Sequence, residues 1–105
     1  MEAEKAVNWT ANALTLLADL YEFIESQSGD EFASNYVDDL LAFGNGLSTK
    51  SLHFSYCRNT KLQAKGYRCA VFRHTYILIY NQSETEVFIL AVIHVKRGPD
   101  IFEQV

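Results

Sequence analysis

His94, Lys96 and Arg97 stand within four positions of one another, directly after the seven apolar residues Val87 to Ile93 and directly before Gly98-Pro99. Side chains of these types can hold an anion, donate hydrogen bonds to a phosphate or carboxylate or, for histidine, take up a proton. General-base chemistry by His94 needs a partner group, and the local sequence offers none. With regular strand alternation, Phe88, Leu90, Val92, His94 and Lys96 share one face while Val95 and Arg97 take the other. His94 and Lys96 then continue an apolar face beyond its apolar stretch, and Arg97 sits where Gly98-Pro99 turns the chain away. Arg68, Arg73 and Lys61 can join this edge from neighbouring strands. The run reads either as a solvated strand end or as an edge that faces a target.

The remaining groups with chemical potential are His53 and His74 with Cys57 and Cys69. They lack the CxxC or HxxxH spacing of a metal site, so no metal or cofactor is expected. One disulfide is the most that two cysteines allow, and a reducing compartment favours free thiols.

These residues belong to a chain of 105 residues, 49% hydrophobic and 13% aromatic, with one proline. That composition is ordinary for a globular protein, and the length suits a single domain over 1–105. Neither a signal-peptide pattern nor an apolar run near the roughly 18 residues of a membrane span occurs, so the expected location is cytoplasmic. The net charge of −4 conceals a division. Residues 1 to 49 carry nine acidic side chains against Lys5 alone, whereas residues 50 to 105 carry eight bases against four acids. Such polarity directs different partners to different faces.

The elements that must position the basic edge follow from periodicity. Lys5 to Trp9 is a short strand candidate, and Thr10 is a suitable N-cap for a helix over 11–26. In that helix Leu14, Leu17, Tyr21 and Ile24 form one stripe and Leu16, Leu20 and Phe23 a second beside it. This apolar girth exceeds what packing on one sheet requires. Ser28-Gly29-Asp30-Glu31 has the form of a capping box. It precedes a second helix with Phe32, Ala33, Tyr36, Val37, Leu40 and Leu41 on one side, ending near Gly44-Asn45-Gly46. Leu52, Phe54 and Tyr56 then alternate with His53, Ser55 and Cys57 as a strand would, and Arg58 to Gly66 is polar. Three strand-like runs follow, Tyr67 to Arg73, Tyr76 to Asn81 and Val87 to Val95, joined by links short enough for hairpins. The predicted fold is α+β: an N-terminal strand, an antiparallel helical hairpin and an antiparallel β-meander packed on the helices.

In this order, Val7-Asn8-Trp9-Thr10 with Ala13 and Leu17, then Tyr76-Ile77-Leu78-Ile79-Tyr80, then Ile89 through Arg97 resemble the RelE/ParE superfamily of bacterial type II toxin–antitoxin systems, over essentially the whole chain. The resemblance implies a toxin neutralised by a cognate antitoxin whose C-terminal segment wraps it, forming a hetero-oligomer. Leu16, Leu20 and Phe23 are then the expected antitoxin contacts, unless they pack in the toxin's own core. RelE-like members cleave messenger RNA on the ribosome with clustered cations and a proton-transfer group, whereas ParE-like members bind and block DNA gyrase. The RelE-like pattern has an arginine in its Tyr-Arg-apolar-apolar-Tyr strand, another at the basic end of the last strand and a tyrosine near the C-terminus. Here those positions hold Ile77, Arg97 and Phe102. A rival register through Gly66-Tyr67-Arg68 fits the family spacing poorly. Two of three roles are vacant, and a pI near 5.2 is unfavourable for lodging in ribosomal RNA. The expectation is therefore a ParE-like gyrase inhibitor, with His94, Lys96, Arg97, Arg68, Arg73 and Lys61 facing the target. The alternatives are a ribosome-dependent endoribonuclease, in which Arg97 is catalytic, and a non-toxic member that only pairs with its antitoxin.

Overall fold

A computed structural model describes residues 4–96. Its elements run β1 (Ala6–Trp9), α1 (Ala11–Ser28), α2 (Asp30–Asn45), α3 (Leu47–Lys50), α4 (Thr60–Ala64), β2 (Arg68–Phe72), β3 (Tyr76–Gln82) and β4 (Glu86–His94). The sheet order is β1-β4-β3-β2. β2, β3 and β4 form the expected antiparallel meander, and β1 adds in parallel, pairing Ala6 with Glu86 through Trp9 with Ile89.

Thr10 caps α1 as predicted, its side chain accepting the Ala13 N–H. Ala13, Leu17, Leu20 and Ile24 are buried, so the true core stripe draws on both predicted stripes. Leu14, in the first of the predicted stripes, is half exposed. The capping box does not form: α1 runs through Ser28, and Gly29 alone separates the helices. Gly29 has φ +90, donates its N–H to Glu25 O and accepts the Ala33 N–H. A left-handed glycine reverses the chain in one residue, leaving Ser28 no room to cap. Asp30 and Glu31 instead place carboxylates in the first turn of α2, where the helix dipole favours them. Tyr21 donates its hydroxyl to Asp30 across the junction.

The glycines near residue 45 also act differently from expectation. Gly46 stays right-handed and α3 follows at once. Gly44 is required for close packing, because a Cβ there would collide with the Trp9 indole and lie 3.1 Å from Ile89 Cδ1. The indole N–H of Trp9 meanwhile donates to Asn45 Oδ1 at 2.9 Å.

Residues 51–58 are the clearest departure. Their alternation does not make a strand; among the described residues the segment contributes one bridge, Tyr56 to Arg68. It lies along β2, with Cys57 N–H bonded to Tyr67 O, Cys69 N–H to Ser55 O and Arg68 Nη1 to Phe54 O at 2.6 Å. The cysteines are not free thiols: Cys57 and Cys69 form a disulfide with a Cα–Cα distance of 4.9 Å. The polar stretch after it contains α4, capped by the Asn59 side chain and anchored by fully buried Leu62.

The sheet thus has two covered faces. One carries the main core with α1, α2 and α3, including Leu40, Leu47, Leu78, Tyr80, Val87 and Ile89. The other carries a smaller cluster of Cys57, Leu62, Ile79, Ala91 and Ile93. The two faces exchange residues along β4 because Ile79 pairs with Ala91 while Tyr80 pairs with Ile89, leaving Leu90 as an extra residue. A bulge of this kind resets side-chain parity. The single face predicted for Phe88 through Lys96 is therefore broken at Leu90. Val87, Ile89 and Val92 all reach the helical core, and Ala91 and Ile93 the opposite cluster.

Candidate functional site

The bulge and the shortness of β1 leave the C-terminal half of β4 in an unusual position. β1 covers β4 only as far as Ile89. There the chain leaves the sheet at Thr10, whose N–H and hydroxyl bond Ile89 O, and Asn12 Nδ2 bonds Leu90 O at 2.9 Å. Beyond Leu90, among the described residues, no strand pairs with β4 on that side. α1 passes over it instead, and between them lies a cleft of about 410 Å³.

Four residues of α1 form one wall: Leu16, Asp19, Leu20 and Phe23. Their three- and four-residue spacing puts them on one helical face. Tyr76 from β3 and Val92, Ile93 and His94 from β4 form the other. The imidazole of His94 meets the Tyr76 ring edge to face at 5.2 Å. Its Nδ1 accepts the Lys96 N–H at 3.0 Å, so in the neutral ring the proton sits on Nε2. The cleft is an apolar trough with one carboxylate and one imidazole at its rim.

The expected antitoxin residues therefore converge on this cleft with unequal exposure. Leu20 is 6% exposed and belongs to the core, Leu16 is partly buried between the two clusters, and Phe23 is 59% exposed. Helical periodicity found that wall, and strand alternation placed Val92 and His94 on one face, but neither pattern brought Tyr76 and Ile93 to the cleft. The bulge hides the second wall by switching which strand residues face the helix.

The expected basic edge is divided. His94 and Lys96 lie at one end of the sheet beside the β2–β3 turn, since Val95 N–H bonds Thr75 O at 2.9 Å. Arg73 is in that turn, with Nη2 2.7 Å from Asp39 Oδ2 and its guanidinium over the Phe72 and Tyr36 rings. Arg68 is at the opposite end of β2, about 16 Å away along the strand. There it holds Phe54 O and stacks 4.2 Å from the Tyr56 ring centroid. Lys61 is on α4, over the far face. Arg68 and Lys61 therefore do not join the His94 end. Arg97 and Phe102 lie outside the described residues.

Tyr36 completes this corner. Its ring contacts Phe32, Phe72 and Tyr76. Burial raises its phenol pKa, with Thr75 and Arg73 acting in the opposite direction. His74, weighed in the sequence only as a metal ligand without supporting spacing and lying in the link between two strand-like runs, is exposed at φ +58, next to Arg73 at φ +50. The absence of the usual Asn-Gly from so tight a link was the available signal.

Two solved structures share this architecture. The chromosomal ParDE toxin–antitoxin system from P. aeruginosa matches with TM-score 0.71 and 18% identity, covering 89% of this chain and 98% of that one. A chain of the RelBE2 toxin–antitoxin complex from Mycobacterium tuberculosis matches with TM-score 0.67 and 24% identity, covering 92% and 98%. At these identities the likeness defines a RelE/ParE-type fold. The family model for the ParE toxin of the type II parDE toxin–antitoxin system matches residues 7–99. The chain belongs to that ParE toxin family. No curated protein matches its sequence.

Proposed function

We propose that this ParE-family toxin acts by binding DNA gyrase and is neutralised when a segment of its cognate antitoxin occupies the cleft between α1 and β4. The carrying observation is the cleft itself, where exposed Phe23 and the buried apolar floor of Leu20 and Val92 lie beside a strand that, among the described residues, has no strand partner on the β1 side beyond Ile89. An apolar groove rimmed by Asp19 suits an amphipathic segment with apolar anchors and a cationic side chain.

Inhibition by binding, rather than RNA cleavage, accords with the side chains available. RNA cleavage needs several converging cations and a proton-transfer pair. Here Ile77 occupies the strand position of the nuclease arginine, and its side chain packs against the smaller cluster. Arg68 holds a backbone carbonyl and Arg73 an aspartate. The deciding experiment is pulse labelling of DNA and protein synthesis within minutes of inducing the chain without antitoxin, paired with supercoiling by purified gyrase. DNA synthesis failing first, with supercoiling inhibited, is expected. Early collapse of translation with cut messenger RNA would make the protein a nuclease instead, and Arg97→Ala would then abolish toxicity.

A further inference from the structure

The β2–β3 hairpin is closed by two consecutive left-handed residues, Arg73 at φ +50 and His74 at φ +58. The Thr75 N–H bonds Phe72 O at 3.0 Å across the turn. Positive φ at both central positions marks a turn that ordinarily carries Asn-Gly or Asp-Gly, because a Cβ in this conformation is strained. A long cationic side chain at the first of these places runs against local preference, and histidine at the second, although commoner there than most residues, still fits less well than glycine. Such strain persists where neighbouring structure holds it and commonly accompanies a contact surface.

The neighbouring structure does hold it. Asp39 anchors the Arg73 guanidinium, the Phe72 and Tyr36 rings lie under it, Thr75 Oγ1 donates to Arg73 O, and Val95 N–H ties the end of β4 to Thr75. Arg73 is thus a strut. His74 at the tip has its side chain exposed, and Val95 and Lys96 are exposed beside it.

Resting on the reading of this protein as a toxin that binds its target, we infer that the Arg73-His74 tip, with Val95 and Lys96, is the target-contacting element and that it meets an acidic patch on a protein. His74 donates a hydrogen bond in either protonation state, Lys96 supplies a point charge and Val95 a small apolar contact. A nucleic-acid backbone fits this corner poorly. The Arg73 charge is already matched by Asp39, itself 55% exposed, and Asp38 adjoins it in sequence. A track of phosphates would meet these carboxylates as well as the cations, whereas a local acidic patch can engage the tip alone.

The test compares His74→Gly and Lys96→Glu with the unaltered full chain in four measurements: thermal unfolding, inhibition of purified gyrase, growth arrest without antitoxin, and binding to ribosomal RNA. His74→Gly should match or exceed the original melting temperature, because glycine fits φ +58, while raising the concentration for half-inhibition roughly tenfold or more. Lys96→Glu should lose potency similarly at unchanged melting temperature. Full potency in both variants overturns the inference and leaves the toxin reading intact. A lower melting temperature for His74→Gly overturns the strain argument. If the unaltered chain arrests growth without inhibiting gyrase, the gyrase reading fails and growth arrest by the variants decides the tip. If the unaltered chain is inert, both readings fall. Potency lost together with ribosomal RNA binding would assign the tip to nucleic acid and overturn the protein partner.

Discussion

If an antitoxin segment occupies the cleft as proposed, replacing Phe23 by alanine should separate antitoxin recognition from folding. A phenylalanine buries on the order of 200 Å² when fully covered, and the 59% exposure of Phe23 leaves about 120 Å² for a partner. At about 25 cal/mol per Å² that area is worth up to ~3 kcal/mol on binding. Alanine recovers part of it, so the expected loss is ~2 kcal/mol, or about 30-fold in affinity. Urea unfolding of the free toxin should change by less than ~1 kcal/mol, since the ring contributes little to the core. Leu20→Ala is the converse: at 6% exposure it should cost ~2–5 kcal/mol of folding stability. Calorimetric titration of each variant with the cognate antitoxin, beside its unfolding curve, gives both quantities. Unchanged antitoxin affinity for a folded Phe23→Ala protein would refute the cleft as the docking site.

Other consequences are accessible to simple biophysics. Reducing the Cys57–Cys69 bridge, with its sequence separation of 12, should lower stability by about 2–3 kcal/mol through loop entropy, read from urea curves with and without a dithiol. Gly44→Ala should destabilise by ~1–3 kcal/mol and alter the fluorescence of the single tryptophan, whose ring the new methyl would strike. Asp39→Asn removes an ion pair whose side chains are 52% and 55% exposed, so it should cost below about 1 kcal/mol, less in high salt. Donation to Asp30 raises the Tyr21 phenol above the ordinary 10.0. Because the folded value is the higher one, the contribution to stability persists below pH about 10 and disappears as pH rises through the raised value. Tyrosinate absorbance should show a late-titrating phenol that Asp30→Asn returns toward the ordinary range.

Much of the fold is legible in the sequence because local preference and tertiary packing agree there. Thr10, the apolar spacing of α1 and α2 and the β-rich runs from Arg68 to His94 each favour the element they form. Legibility fails where a distant partner decides the outcome. Residues 51–58 alternate like a strand, yet the disulfide and the Arg68 contacts lay them along β2 with Leu52 58% and Tyr56 50% exposed. Gly44 reads as a helix terminator until Trp9 is placed against it. The cleft was half visible: the α1 wall follows from helical period, whereas the β4 wall depends on an extra residue at Leu90 that no pattern within β4 announces. The basic residues shared a charge and a region of sequence, but strand length and α4 carried Lys61 and Arg68 away from His94.

The pairing of β1 with β4 has a consequence for how the protein is made. β4 occupies an inner position in the sheet, between β1 and β3, yet it is the last of the described strands to leave the ribosome. Until it emerges, the first strand has no neighbour and the hairpin of β2 and β3 lacks the strand that joins it to β1. Such long-range closure delays folding until β4 has emerged. A message broken or stalled before β4 would yield fragments without the cleft's strand wall and without the Val95–Thr75 tie at the hairpin tip. Emergence of β4 would thus be the step that creates the cleft and steadies the hairpin tip together.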